Sequence, residues 1–177
     1  MHSDRLRWMV VNAVIMALGL TLPMAFHAVG LGSKFLPMLL PLLLNGFLSP
    51  VAWAAFTGAA TPLVSALLTG MPPLYPPVAV VMSVEGIVMS VVAGTLYRAC
   101  RRRVWPALGA AILCDRLTSV SLSWVLARLL GLPERLSAGA ALVQGLPGVA
   151  LMVVVVPLVL GALSRRRGLL FGDGGQR

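Results

Sequence analysis

Three ionisable side chains lie deep inside apolar stretches of this sequence: Glu85 and the adjacent pair Asp115 and Arg116. At the centre of a bilayer each would cost at least ~2.5 kcal/mol unless it is paired or faces a cavity. Two kinds of chemistry follow. One is a structural ion pair, Arg116 with Glu85 or with Asp115. The other is a solute pocket that one or more of them lines, opening outward. Asp115 and Arg116 stand ~100° apart on a helix, so they cannot both point at one partner directly; one serves packing while the other meets ligand. Glu85 is the first choice for a solute contact, lying ~10 Å below the outer start of its helix. Trp124 shares a helix with Asp115 and is a stacking candidate. Gln144 and Asn45 are further candidates, although buried amides often hydrogen-bond between helices.

Outside these stretches, His27 and Lys34 frame Ala28-Val29-Gly30-Leu31-Gly32-Ser33. Glycines allow the close backbone approach that a lid over a solute requires, and the alternative is an interfacial loop with Lys34 among headgroups. Catalytic patterns are missing. There is no nucleophile elbow, His-Glu-x-x-His, phosphate-binding loop or dinucleotide fingerprint, so the chain has no evident means of hydrolysing ATP. Cys100 and Cys114 read as free thiols, and no metal-ligand spacing exists. No cofactor is expected.

The elements that must position these residues follow from composition. Of 177 residues, 59% are hydrophobic and 11% charged, and mean hydropathy is +0.95. A soluble domain would be about one half apolar and one quarter charged, so the chain reads as an integral membrane protein. The net charge of +9 does not indicate nucleic-acid binding. The arginines bracket the apolar runs and aromatics are few and scattered, whereas a nucleic-acid binder needs a solvated basic face with stacking rings.

Six helices are predicted, at about 8–26, 35–48, 51–68, 78–97, 105–130 and 138–163, forming one six-transmembrane-helix bundle over residues 1–167, with 168–177 a mobile polar tail. The first run has a basic start but no convincing cleavage site, so it reads as a retained helix. The second contains Pro37 and Pro41 and should be short, irregular or broken. Pro72, Pro73, Pro76 and Pro77 forbid helix between the third and fourth runs. With six crossings and a cytoplasmic N-terminus, Arg5, Arg7, Arg98, Arg101 to Arg103, Arg165 to Arg167 and Arg177 all face the cytoplasm, as does the C-terminus; five crossings would put the last triplet outside. The outer face then carries the 27–35, 70–77 and 131–137 connections. Small residues at four-residue spacing mark close helix approach: Ala13 and Ala17; Gly86, Ser90 and Gly94; Ser119, Ser123 and Ala127. For any one stripe the partner can be internal, and the Ala13 face is the one most open to a second protein.

The small size, the six helices and Ala13-x-x-x-Ala17 together resemble the substrate-binding S components of energy-coupling factor (ECF) vitamin transporters. So do His27-Ala28-Val29-Gly30-Leu31-Gly32, Phe35-Leu36-Pro37-Met38 with Pro41, and Pro62 to Leu74 with its Leu-Leu-Thr-Gly-Met-Pro-Pro core. The resemblance covers most of residues 8–163. It implies a non-enzymatic subunit in the plasma membrane that captures a vitamin or related micronutrient at the outer face. It also implies a transmembrane coupling protein and two cytoplasmic ATPases as partners. Ala13 and Ala17 become partner contacts, and His27, Lys34, Met71, Tyr75 and Glu85 become pocket residues. Members of that family often carry a histidine after Leu-Pro-Met, where this chain has Leu39. The alternative class is a small proton-coupled secondary transporter using Glu85 or Asp115, which would need an oligomer or an inverted repeat that the two halves do not show. An intramembrane enzyme using His27 and Asp115 lacks the required spacings.

Overall fold

Prolines and glycines punctuate the chain into apolar helices. The computed structural model describes residues 2–28, 30, 37–75, 77–130 and 138–171; for 2–4, 130, 138–144 and 166–171 it describes the backbone alone. The described residues form an all-α bundle of six helices: α1 (His2–Ala28), α2 (Leu39–Leu48), α3 (Val51–Thr69), α4 (Val78–Ala99), α5 (Val104–Leu130) and α6 (Ala138–Phe171). All except α2 are long and apolar enough to cross a membrane. The expected tail from residue 168 is helical as far as Phe171, and 172–177 lie outside the described residues.

α2 is the hub. Its 10 residues reach only ~15 Å, half of a bilayer core. Leu39, Leu42, Leu43 and Asn45 are fully buried, and Phe47 nearly so. A helix that short is tolerable because α1, α3, α4 and α6 surround it, leaving its ends no lipid to face. The break expected from Pro37 and Pro41 is therefore a late start, with Pro37 and Met38 in a turn ahead of the helix. Pro41 sits within the first turn, where its missing N–H costs nothing.

The Gly86-Ser90-Gly94 stripe of α4 packs inside the chain. A Cβ on Gly86 would lie 2.6 Å from the Gly58 carbonyl oxygen of α3, and one on Gly94 would lie 2.8 Å from the Gly46 carbonyl oxygen of α2. Pro62 has no N–H to bond the Gly58 carbonyl, and it is against this carbonyl that Gly86 comes closest. The Ser90 hydroxyl then donates to the Leu42 carbonyl at 3.1 Å.

A buried polar knot ties α1, α2 and α3 near one end of the bundle. Asn12 Oδ1 accepts from Asn45 Nδ2 at 2.8 Å and from Thr57 Oγ1 at 2.7 Å. Ser49 Oγ donates to Asn45 Oδ1 at 2.6 Å, and Asn12 Nδ2 donates to the Trp8 carbonyl at 2.8 Å. Arg98 of α4 donates to the carbonyls of Gly94 and Ser49. Asn45 is thus the interhelical amide that its type allowed. Past α4 the chain turns through Arg101 (φ 48°) and Arg102 (φ 61°), with the Arg102 N–H returning to the Tyr97 carbonyl at 2.8 Å. That bond closes the helix in a Schellman turn, satisfying a carbonyl the helix itself leaves free.

Candidate functional site

The opposite end of the same four helices encloses a cavity of about 570 Å³. α1 contributes Leu20, Pro23, Met24 and His27 from its last two turns, and Pro37 and Met38 enter ahead of α2. Ser65 and Thr69 come from the last turns of α3, Met71, Pro72 and Pro73 from the connection after it, and Val78 and Met82 from the start of α4. The polar knot joins α1, α2 and α3 at one end and the cavity joins them at the other, so α1 to α4 run alternately up and down.

Local sequence builds this mouth. Gly70 ends α3 at φ 73°, a left-handed position that costs glycine nothing, and its N–H bonds the Ala66 carbonyl at 3.0 Å. The prolines that follow cannot continue a helix, and side chains of α3 hold them in place. Ser65 Oγ donates to the Met71 carbonyl at 2.6 Å, while Thr69 Oγ1 accepts from the Met71 N–H at 3.2 Å. Ser65 and Met82 lie one turn deeper than Thr69 and Val78, so they form the floor, while His27, Thr69 and Met71 stand at the rim.

Of the residues singled out in the sequence, His27 and Met71 line the cavity. Tyr75 is 76% exposed and stands beyond the lining. Lys34 lies outside the described residues, as does the side chain of Gln144. Trp124 is 54% exposed, with the Arg128 guanidinium 5.1 Å from its ring centre, and lines no part of the cavity.

Glu85, Asp115 and Arg116 form a separate cluster between α4 and α5. Glu85 is 4% exposed and Asp115 1%. Adjacent residues do find each other here: Arg116 Nε and Nη2 both bond Asp115 Oδ2, at 2.9 and 2.5 Å. Each side chain bends towards the other, which a count of helix angles misses. Glu85 of α4 lies close enough to Asp115 and Arg116 of α5 to feel their charges. Among the described residues, Asp115 Oδ1 is a buried oxygen with no hydrogen-bond partner. The cluster thus holds two carboxylates against one guanidinium, and none of its members lines the cavity.

Ala13 and Ala17 are exposed on α1, beside the exposed Val10, Val14 and Leu18. The opposite side of the helix, with Asn12, Ile15 and Gly19, is buried against the bundle. Sequence reasoning named neither Ser65 nor Met82 as pocket residues, and it passed over Asn12. A lone asparagine in an apolar helix was the available signal for the last. Nothing in local pattern separates a cavity-lining methionine from one facing lipid.

A family model described as "ECF transporter, substrate-specific component" matches residues 7–160. No curated protein and no solved structure matches the chain.

Proposed function

The chain belongs to the substrate-specific components of ECF transporters, and from that premise we propose that it captures a small water-soluble vitamin or related micronutrient in the cavity at the His27 end. It is a multi-pass membrane protein and a transport subunit, not an enzyme. The cavity carries the reading: its volume of about 570 Å³ falls within the ~300–1,000 Å³ of small-molecule sites, and convergent polar groups sit among apolar walls. His27 and Met71 contact the solute, and Tyr75 stands exposed on the same connection as Met71. Glu85, Asp115 and Arg116 lie apart from it, where α4 packs on α5.

The solute passes to a transmembrane coupling protein served by two cytoplasmic ATPases, with Ala13 and Ala17 as the docking face. The positive-inside rule orients the chain. Arg5, Arg7, Arg98 and Arg101 to Arg103 belong to the knot end, which supports reading that end and both termini as cytoplasmic. The cavity then opens outward, and α2, short as it is, completes six crossings in a single membrane domain.

Two measurements test this. Uptake in cells should stop when the partner ATPases are inactivated and should survive collapse of the proton gradient; uptake that persists without ATP hydrolysis overturns the assignment. In a Cys114→Ala background, Cys100 should react with an impermeant maleimide only after the membrane is opened. Labelling in intact cells would invert the orientation and put the cavity on the wrong side.

A further inference from the structure

Four of the nine methionines, Met24, Met38, Met71 and Met82, reach the cavity from four different segments of the chain. No Phe, Tyr or Trp side chain is among its described lining residues. A wall of thioethers is soft and polarizable. It grips flat π-systems through sulfur–aromatic contacts and adapts to ring shape by rotating unbranched side chains, where a wall of leucines would offer neither. The prolines beside them, Pro23, Pro37, Pro72 and Pro73, are rigid and add apolar surface without further donors.

The polar inventory is equally particular. A serine hydroxyl has one proton to give and two lone pairs to accept with. The Ser65 proton is committed to the Met71 carbonyl at 2.6 Å. The Thr69 hydroxyl, at the rim, donates to the Ser65 carbonyl at 2.8 Å and accepts from the Met71 N–H at 3.2 Å, so its proton and one of its lone pairs are taken. What the floor has left is a hydrogen-bond acceptor at Ser65 Oγ. A solute that brings its own donor is matched there, and one that brings only acceptors is not.

Taking this cavity as the solute site, we propose that its solute is a planar heteroaromatic ring that directs an N–H or O–H donor at Ser65 Oγ and lies between the four methionine side chains. The ring is held by sulfur and proline, and its remaining polar substituents face His27 at the rim.

The test uses the full chain in lipid nanodiscs with carbon-13 labelled methionine methyl groups and three probes: indole, 1-methylindole and cyclooctanol. Indole should shift the methyl signals of Met24, Met38, Met71 and Met82 upfield through its ring current, leaving those of Met9, Met16, Met89 and Met152 in place. 1-Methylindole has the ring but no donor and should bind about three- to tenfold more weakly, the value of one net hydrogen bond. Ser65→Ala should erase that difference while indole still shifts the four methyls. The proposal is overturned if cyclooctanol binds as tightly as indole, if indole leaves the four methyls unmoved, or if methylating the ring nitrogen changes nothing in the unaltered protein. A chain that fails these tests yet supports ATP-driven uptake loses the ring class and keeps solute capture. One that passes them but supports no uptake loses the capture reading instead.

Discussion

Arg116→Met lowers the melting temperature of the detergent-solubilised protein by about 10 °C, whereas Glu85→Gln leaves it within a degree or two or raises it. The asymmetry follows from who holds whom. Both described bonds of the Arg116 guanidinium go to Asp115 Oδ2, and Arg116 is also the cation beside Glu85. Removing it strands two carboxylates in an apolar interior, one of them already carrying an unpartnered oxygen. Breaking a buried pair from one side costs about 3–5 kcal/mol, and for a chain of this size each kcal/mol is worth about 2–4 °C. Glu85→Gln instead removes an acidic group near Asp115 and leaves Arg116 still paired with Asp115. A second variant guards the argument: Arg116→Met with Asp115→Asn should recover much of the loss, because no charge is then stranded. Should Glu85→Gln fall as far as Arg116→Met, the guanidinium is held by Glu85 as much as by Asp115. The sequence left both pairings open.

Tryptophan at both Ala13 and Ala17 reduces solute uptake to background and abolishes co-purification with the coupling protein, while the isolated subunit keeps its melting temperature and its affinity for indole. Residues four apart on a helix lie one above the other, and two alanines there leave a shallow groove into which another helix can settle. Indoles fill that groove. The bundle does not notice, because both alanines are exposed and point away from Asn12, Ile15 and Gly19. Gly19 supplies the contrast on the same helix. A Cβ there would meet Thr61 Cγ2 at 2.7 Å, so Gly19→Val should damage the fold and with it every function. The docking assignment fails if the double tryptophan variant transports normally, or if it melts early and loses indole binding. In the latter case the alanines serve the internal core.

How much of this was legible beforehand depends on whether the signal is local. Six apolar runs, a short or broken second helix, and the proline-bound connection after α3 could be read because hydropathy and missing N–H groups act residue by residue. Helix ends were read to within a few residues except at the two ends nearest the chain termini: α1 begins at His2, six residues before the apolar run, and α6 continues through the arginines 165–167 to Phe171. The four-residue stripe on α4 announced a close approach correctly, but spacing cannot name the partner. Only packing brought Gly46 and Gly58 to it, one of them over a carbonyl that Pro62 had freed.

The sequence by itself determined that this chain lies in a membrane, that it has six helical segments, and that it carries the motifs of a solute-capture subunit. Charge, hydropathy and short motifs are properties of consecutive residues, and a bilayer sorts them without reference to the fold. Tertiary structure determined which of the costly or useful side chains meet. Glu85 was the expected solute contact, yet it is not among the cavity's lining residues although Met82, three positions before it, is; it is buried near Asp115 and Arg116 of α5. The cavity draws Met24, Met38, Ser65 and Met82 from segments as much as 58 positions apart in the sequence numbering. In a chain this apolar, a methionine facing lipid and a methionine facing a ligand have the same local pattern, and only the crossing of α1 to α4 distinguishes them.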